Sequence, residues 1–310
     1  MKKADLIKTL GVIPAMMTTF DEHENLDLTR AEKFTEFLIS KGASGLYIVG
    51  STGEGFLMSE DERKAFAETV IKTVDGRIPV IVHVGAIGTK KSIELAEHAA
   101  KAGASAVSSV PPFYYKFSAN DVYSYYKELA SATDLPFIVY NVPLAGLMSS
   151  SFIYRLAEIK NVCGLKFTGQ NIDDICEIKH TLGNEFIVYS GCDEIATEGL
   201  LAGADGLIGS FYNLMCESFV EIFHLAKKRA WDEAIAIQKI VTRFIHFAVQ
   251  WDYYQVMREC LKTIGIDTGV SRKPFTTLSA EDATRLHDFC DDLRKQFPNT
   301  HIDFIEKQRR

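Results

Sequence analysis

The chain has 310 residues, 47% of them hydrophobic and 24% charged, with mean hydropathy at zero, enough apolar material for a full core. A net charge of -7 and a pI near 5.7 argue against the basic surface that nucleic-acid binding requires. No run approaches the roughly 18 apolar residues of a membrane span, and the opening MKKADLIKTLGVIPAM has neither a long apolar stretch nor a small-residue cleavage site. The six cysteines (Cys163, Cys176, Cys192, Cys216, Cys260, Cys290) are scattered, without a CxxC pair or clustered histidines. No metal site and no disulfide framework are expected from them, and thiols in a reducing cytoplasm are.

In chain order, apolar runs and turn residues alternate strand with helix. Residues 11–18 (GVIPAMMT) read as the first strand. KGASGLYIVG (41–50) sets a glycine and a tight turn ahead of an apolar run, as expected where a helix ends in a left-handed cap and a buried strand begins. Ser59 and Glu62 form a capping box before Phe66, Val70, Ile71 and Val74 at helical spacing. Residues 78–85 supply the third strand, and KAGASAVSSV (101–110) repeats the glycine phrase to open the fourth. Strands five to seven lie in 135–142, 162–167 and 186–190, and LAGADGLIGS (201–210) opens the eighth with the same phrase. Gly42, Gly103 and Gly203 are 61 and 100 residues apart, which is two and then four βα units of about 25–30 residues.

These near-continuous apolar runs suit strands buried on both faces. The alternation predicts an α/β chain, a (β/α)8 barrel over residues 1–230. An open doubly wound sheet would want a GxGxxG turn after the first strand, and none is there. Past residue 213 the strand signal stops. Segments 214–230, 231–247, 250–264 and 280–296 read as helices, the first closing the barrel and the others forming a C-terminal helical extension over 231–297. Residues 298–310 read as a loosely held polar tail.

Barrel chemistry sits at the C-terminal ends of the strands, and that rule selects candidates. Lys166 lies inside a predicted buried strand, where burial favours the neutral amine that attacks a carbonyl to give an imine. Position alone also allows a lysine that snorkels to water. Tyr140 stands 26 residues earlier, one βα unit back, so its phenol can approach the amine and relay a proton; a tyrosine that merely packs the barrel top is the other reading. GSTGEG (50–55) lacks the Lys-Ser/Thr ending of a phosphate loop but offers two hydroxyls and free amides to a carboxylate. The consecutive Asp193 and Glu194 suit hydrogen bonds from a polyhydroxylated substrate.

Together GSTGE (50–54), Tyr-Asn-Val-Pro (140–143) and Gly-Leu-Lys-x-Thr (164–168) resemble the dihydrodipicolinate synthase/N-acetylneuraminate lyase family, over about residues 8–296. Three details are similar to its lyase branch: Phe167-Thr168 after the lysine, Gly-x-Asp-Glu at 191–194, and Leu144-Ala145-Gly146-Leu147 where synthases carry an arginine for a second carboxylate. The resemblance implies a cofactor-free class I aldolase that cleaves N-acetylneuraminate to N-acetylmannosamine and pyruvate. Lys166 then forms the imine, Tyr140 transfers the proton, and Ser51 and Thr52 hold the pyruvyl carboxylate. Tyr114 is similar to the family tyrosine that crosses a dimer interface into the proton relay. Thr168, Gly191, Asp193, Glu194 and Ser210 correspond to contacts with the sugar chain. A cytoplasmic homotetramer, a dimer of dimers, is the implied assembly, with small molecules and neither nucleic acid nor membrane as partners. Phe211 departs from the small hydroxyl residue of many lyases and leaves the floor of the sugar pocket open. The alternatives are a dihydrodipicolinate synthase or other 2-oxo-acid aldolase, and a non-catalytic sugar-acid sensor on the same scaffold.

Overall fold

In the computed structural model, residues 10–298 and 302–306 are described. The expectations for the first residues, and for the tail at 299–301 and 307–310, lie outside the described residues. The strands are β1 (Val12–Pro14), β2 (Leu46–Ile48), β3 (Val80–His83), β4 (Ala106–Ser109), β5 (Phe137–Asn141), β6 (Val162–Phe167), β7 (Ile187–Ser190) and β8 (Gly206–Gly209). Ladders run parallel from β2 through to β8 and on to β1. The last gap is bridged where Ala15 pairs with Tyr47 and the Met16 N–H donates to the Tyr47 carbonyl at 2.8 Å. This is the eight-stranded barrel that the alternation predicts.

Each strand is followed by a helix: α1 (Leu28–Ser40), α2 (Glu60–Val74), α3 (Thr89–Ala102), α4 (Ala119–Ser131), α5 (Ser150–Ala157), α6 (Ile172–Leu182), α7 (Ala196–Leu201) and α8 (Tyr212–Lys227). Gly42, Gly103 and Gly203 adopt φ of 85°, 93° and 105°, so the repeated phrase is a left-handed helix stop. The capping box of Ser59 and Glu62 closes in both directions at the start of α2. Side chains alternate across the strands. Ile13, Tyr47, Ile81, Ile138, Tyr140, Tyr189 and Ile208 fill the barrel interior, while Phe34, Phe66, Leu129, Val139, Leu165 and Ile175 belong to the core shared with the helices. Asn213 ties the tops of β1 and β8: its amide donates to the carbonyls of Ala15 (2.6 Å) and Ser210 (2.7 Å) and accepts from the Met17 N–H (3.0 Å).

Beyond the barrel lie α9 (Trp231–Ala248), α10 (Tyr253–Thr263) and α11 (Ala280–Gln296). Part of the tail departs from the loosely held segment that its composition predicts. Asp303–Glu306 forms α12, and Ile302, Phe304 and Ile305 are buried, with the Phe304 ring 4.7 Å from that of Phe244 on α9. Three apolar side chains in four residues outweigh the polar flanks.

A buried ion pair helps to hold the extension against the barrel mouth. Arg258 of α10 is buried and donates to Glu54 Oε1 (2.8 Å), the Thr18 carbonyl (2.9 Å) and the Thr268 carbonyl (2.6 Å). Glu54 accepts at its other oxygen from the Arg272 N–H at 2.8 Å. Glu54→Ala would leave the guanidinium buried and unpaired, so a loss of about 3–5 kcal/mol is expected, read as a lower denaturation midpoint in a chemical unfolding titration.

Candidate active site

The β5–β6 ladder brings the central pair together. Phe137 pairs with Val162 but Ile138 pairs with Gly164, so Cys163 is an extra residue that shifts the register by one. Beyond it Tyr140 stands opposite Lys166, and the two side chains share the barrel interior. Lys166 is 4% exposed. Its Nζ lies 4.1 Å from the ring centroid of Tyr140 and 4.6 Å from that of Tyr47. The snorkelling alternative for Lys166 is therefore not the one the fold adopts.

Aromatic groups surround this amine. The Tyr47 hydroxyl donates to Ser108 Oγ at 3.1 Å, and burial pushes its phenol well above the ordinary range. The ring of His83 stands edge-on to Tyr140 at 6.3 Å and tilted to Tyr47 at 6.2 Å. Its Nε2 accepts from the Val110 N–H at 3.2 Å. Burial, then the charges of Arg63 and Lys166, holds the imidazole well below its ordinary value, so it is neutral. Arg63 reaches from α2 to donate to the carbonyls of Gly85 (3.0 Å) and His83 (2.8 Å), and its own burial brings the guanidinium down to about 10.

The GSTGEG turn begins with strain. Val49, a β-branched residue, has φ of 51°, a conformation that such residues rarely adopt and that clusters at functional sites. The Thr18 hydroxyl clamps the turn by donating to the Gly53 carbonyl at 2.6 Å. Thr52 Oγ1 and Ser210 Oγ share a 2.7 Å hydrogen bond, which joins the turn after β2 to the end of β8. The Tyr254 hydroxyl donates to the Ser51 carbonyl at 3.4 Å. Tyr253 stands beside it, the two rings 4.3 Å apart. Phe211 is not at the centre of the mouth: its ring stacks on Tyr253 at 5.5 Å and stands edge-on to Phe244 at 6.2 Å.

The remaining candidates line the β6–β8 side. Thr168 Oγ1 is buried without a hydrogen-bond partner. A Cβ on Gly191 would meet that oxygen at 2.1 Å, and one on Gly209 would meet Asp193 Oδ1 at 1.7 Å. Both glycines are thus required for these side chains to occupy their places. Asp193 accepts from the Phe211 N–H at 2.8 Å, yet burial first, with the neighbouring Glu194 charge adding, raises its carboxyl to about 7. Cys192 between them is no nucleophile, since burial and the two carboxylates push its thiol up to about 12. Glu194 is half-buried and borders a separate groove beside α8 and α9. Tyr114 is 85% exposed, has φ of 78°, and stands edge-on to Tyr115 at 5.0 Å.

A cavity of about 330 Å³ lies over the turn, between Ser51, Phe56, Phe113, Leu144, Tyr254 and Phe275, and among the described residues no lysine or arginine lines it. Sequence reasoning missed Tyr47, His83, Tyr253 and Tyr254. Tyr47 carried a usable signal, being an inward position three residues ahead of the GSTGEG turn. The α10 tyrosines carried none, because only the tertiary fold brings residue 254 to residue 51.

Asp193 makes stability depend on pH. Its carboxyl keeps its proton to about 7 in the folded chain but loses it near 3.8 when unfolded, so the folded state binds more protons in that window. Its contribution is full below about 4 and is lost as pH rises through 7. Asp193→Asn is expected to unfold at a higher temperature than the parent at pH 8 and to lose that advantage at pH 4, in matched thermal melts.

The family model described as the dihydrodipicolinate synthetase family matches residues 8–292. The chain is 38% identical over 276 residues to N-acetylneuraminate lyase 2 of Escherichia coli, covering 88% of this chain and 90% of that protein. It is 34% identical over 284 residues to the N-acetylneuraminate lyase of Rhizobium meliloti, covering 91% and 94%. Its fold matches the Ruminococcus gnavus sialic acid aldolase with a TM-score of 0.89 at 30% identity, over 94% of this chain and 99% of that one. With the model match and both relatives spanning most of its length, the chain belongs to the dihydrodipicolinate synthetase family and is a lyase.

Proposed function

We propose that the chain is a class I aldolase that cleaves N-acetylneuraminate to N-acetylmannosamine and pyruvate. The observation that carries this reading is the buried Lys166 paired in register with Tyr140, beneath a mouth that has no cation in the 144–147 segment. A second carboxylate on the aldehyde would find no partner there, whereas a neutral amino sugar needs none. The likeness to lyases of that name supports the same substrate.

In this reading the neutral Lys166 Nζ attacks the C2 ketone of the open-chain sugar acid, one proton is taken up from solvent so that the carbonyl oxygen leaves as water, and a cationic iminium remains. Tyr140 takes the C4 hydroxyl proton as the C3–C4 bond breaks, and the bonding pair flows into the iminium to give a neutral enamine. The enamine is protonated at C3 and hydrolysed to pyruvate, which frees the lysine. Ser51 and Thr52 hold the carboxylate, while Thr168, Gly191, Asp193, Glu194 and Ser210 meet the sugar chain. No cofactor takes part, because the iminium itself is the electron sink.

The loops after β4 and β5 expose Tyr114, Tyr115, Phe117, Leu144 and Leu147, an apolar surface of the kind that association covers. This supports a dimer in which Tyr114 enters the partner's relay, and a homotetramer built from two such pairs. The enzyme works in the cytoplasm; among the described residues no helix is long and apolar enough to cross a membrane.

The test is pyruvate release from N-acetylneuraminate. The parent releases it, Lys166→Ala abolishes release, and Tyr140→Phe lowers kcat by roughly 10²–10⁴-fold while still trapping pyruvate on borohydride reduction. Activity with aspartate semialdehyde and none with N-acetylneuraminate would overturn the substrate and leave a synthase.

A further inference from the structure

Lys166 Nζ sits between two aromatic faces, and only one of the two rings has a part in the scheme above. Tyr140 brings its hydroxyl. Tyr47 is buried at 1% exposure on the opposite wall, its hydroxyl bonded to Ser108 at 3.1 Å and its ring centroid 4.6 Å from Nζ. Attraction between a cation and a ring face operates within about 6 Å and strengthens when water is excluded. We infer that Tyr47 is a further catalytic residue, whose π face, together with that of Tyr140, carries the positive charge of the Schiff-base iminium.

The surroundings leave that work to the rings. The groups facing Lys166 are Tyr47 from β2, His83 from β3, Tyr140 from β5, and Cys192 and Asp193 from the turn after β7, with Arg63 of α2 behind His83. His83 is a neutral ring and Arg63 is a cation, so neither offsets a positive charge. Asp193 gives one oxygen to the Phe211 N–H on the β8 side, and burial raises its carboxyl to about 7, so it carries a full charge only above that pH. The Tyr47 phenol stays protonated, so the charge meets a ring face and not a phenolate. When Nζ condenses with the C2 ketone, one proton is taken up from solvent, water leaves and the cation forms. When the C3–C4 pair flows into the iminium the cation is discharged, so the ring acts on imine formation more than on bond cleavage.

This inference rests on Lys166 being the Schiff-base residue, and the experiment separates the two. Position 47 is filled in turn by phenylalanine and by phenylalanines with one, two and three ring fluorines, which weaken the π face at nearly constant shape. For each, the pyruvate concentration that gives half-maximal borohydride trapping at Lys166 is measured, with the pH at which trapping falls on the alkaline side. Tyr47→Phe keeps the ring face and is the reference of the series, and it is expected still to trap pyruvate. Half-maximal pyruvate then rises stepwise, by roughly tenfold across the fluorine series, and the alkaline limb moves to lower pH. The groups listed above are common to every member and do not generate the trend. A flat series with an actively trapping parent overturns the role of Tyr47, as does a Tyr47→Phe that has already lost trapping, since the hydroxyl would then be the active part. A parent that does not trap pyruvate at Lys166 overturns the aldolase reading itself.

Discussion

The pairing of β5 with β6 is the constraint on which the rest of the mouth depends. Parallel neighbours run about 4.8 Å apart, so a residue on one strand has a single inward-facing partner on the next. The extra residue at Cys163 makes that partner Lys166 for Tyr140. Without the shift, Tyr140 would face Leu165, whose side chain belongs to the outer core, and a one-residue slip moves a side chain to the other face of a sheet. Two facing side chains thus rest on one irregularity in one ladder.

Given that pair, the distribution of charge follows a consistent plan. The interior around Nζ is lined by neutral rings, with Asp193 the acidic group that faces it, and the paired ions stand outside it. Glu54 is neutralised by Arg258 on the far side of the turn, and Arg63 spends its donors on the carbonyls of Gly85 and His83. Each of these buried ions is hydrogen-bonded, as buried charges must be. Their effect is mechanical as well as electrostatic. The Glu54 pair fixes the turn that carries Ser51 and Thr52 against α10, and α10 in turn presents Tyr253 and Tyr254 to that turn.

Much of this was legible in the sequence because it is local. A glycine ending a helix, a capping box, a buried lysine within a run of apolar residues and a short Gly-rich turn each declare themselves within ten residues. What was not legible is what spans the chain: Arg258 meets Glu54 across 204 residues and Tyr254 meets Ser51 across 203. Phe211 shows the same limit. Its identity was visible, but its direction, stacked on Tyr253 and edge-on to Phe244, is a tertiary fact. The segment at 302–306 was misjudged for a related reason. Averaged over a charged tail its composition is polar, while burial acts on the three apolar side chains individually.

The hydroxyls along the rim add a further constraint by counting protons. The Ser51 carbonyl can only accept, so Tyr254 spends its one proton there. Ser210 shares its 2.7 Å bond with Thr52. One proton occupies the Thr52–Ser210 bond. Of the two hydroxyls that form it, only the one accepting there keeps a proton for a ligand. A carboxylate drawing the Thr52 proton makes Ser210 the donor to Thr52, which withdraws the Ser210 proton from anything bound beside β8. Groups bound at these two hydroxyls therefore meet partners whose orientations are set jointly, and the coupling is the single bond that joins the turn after β2 to the end of β8.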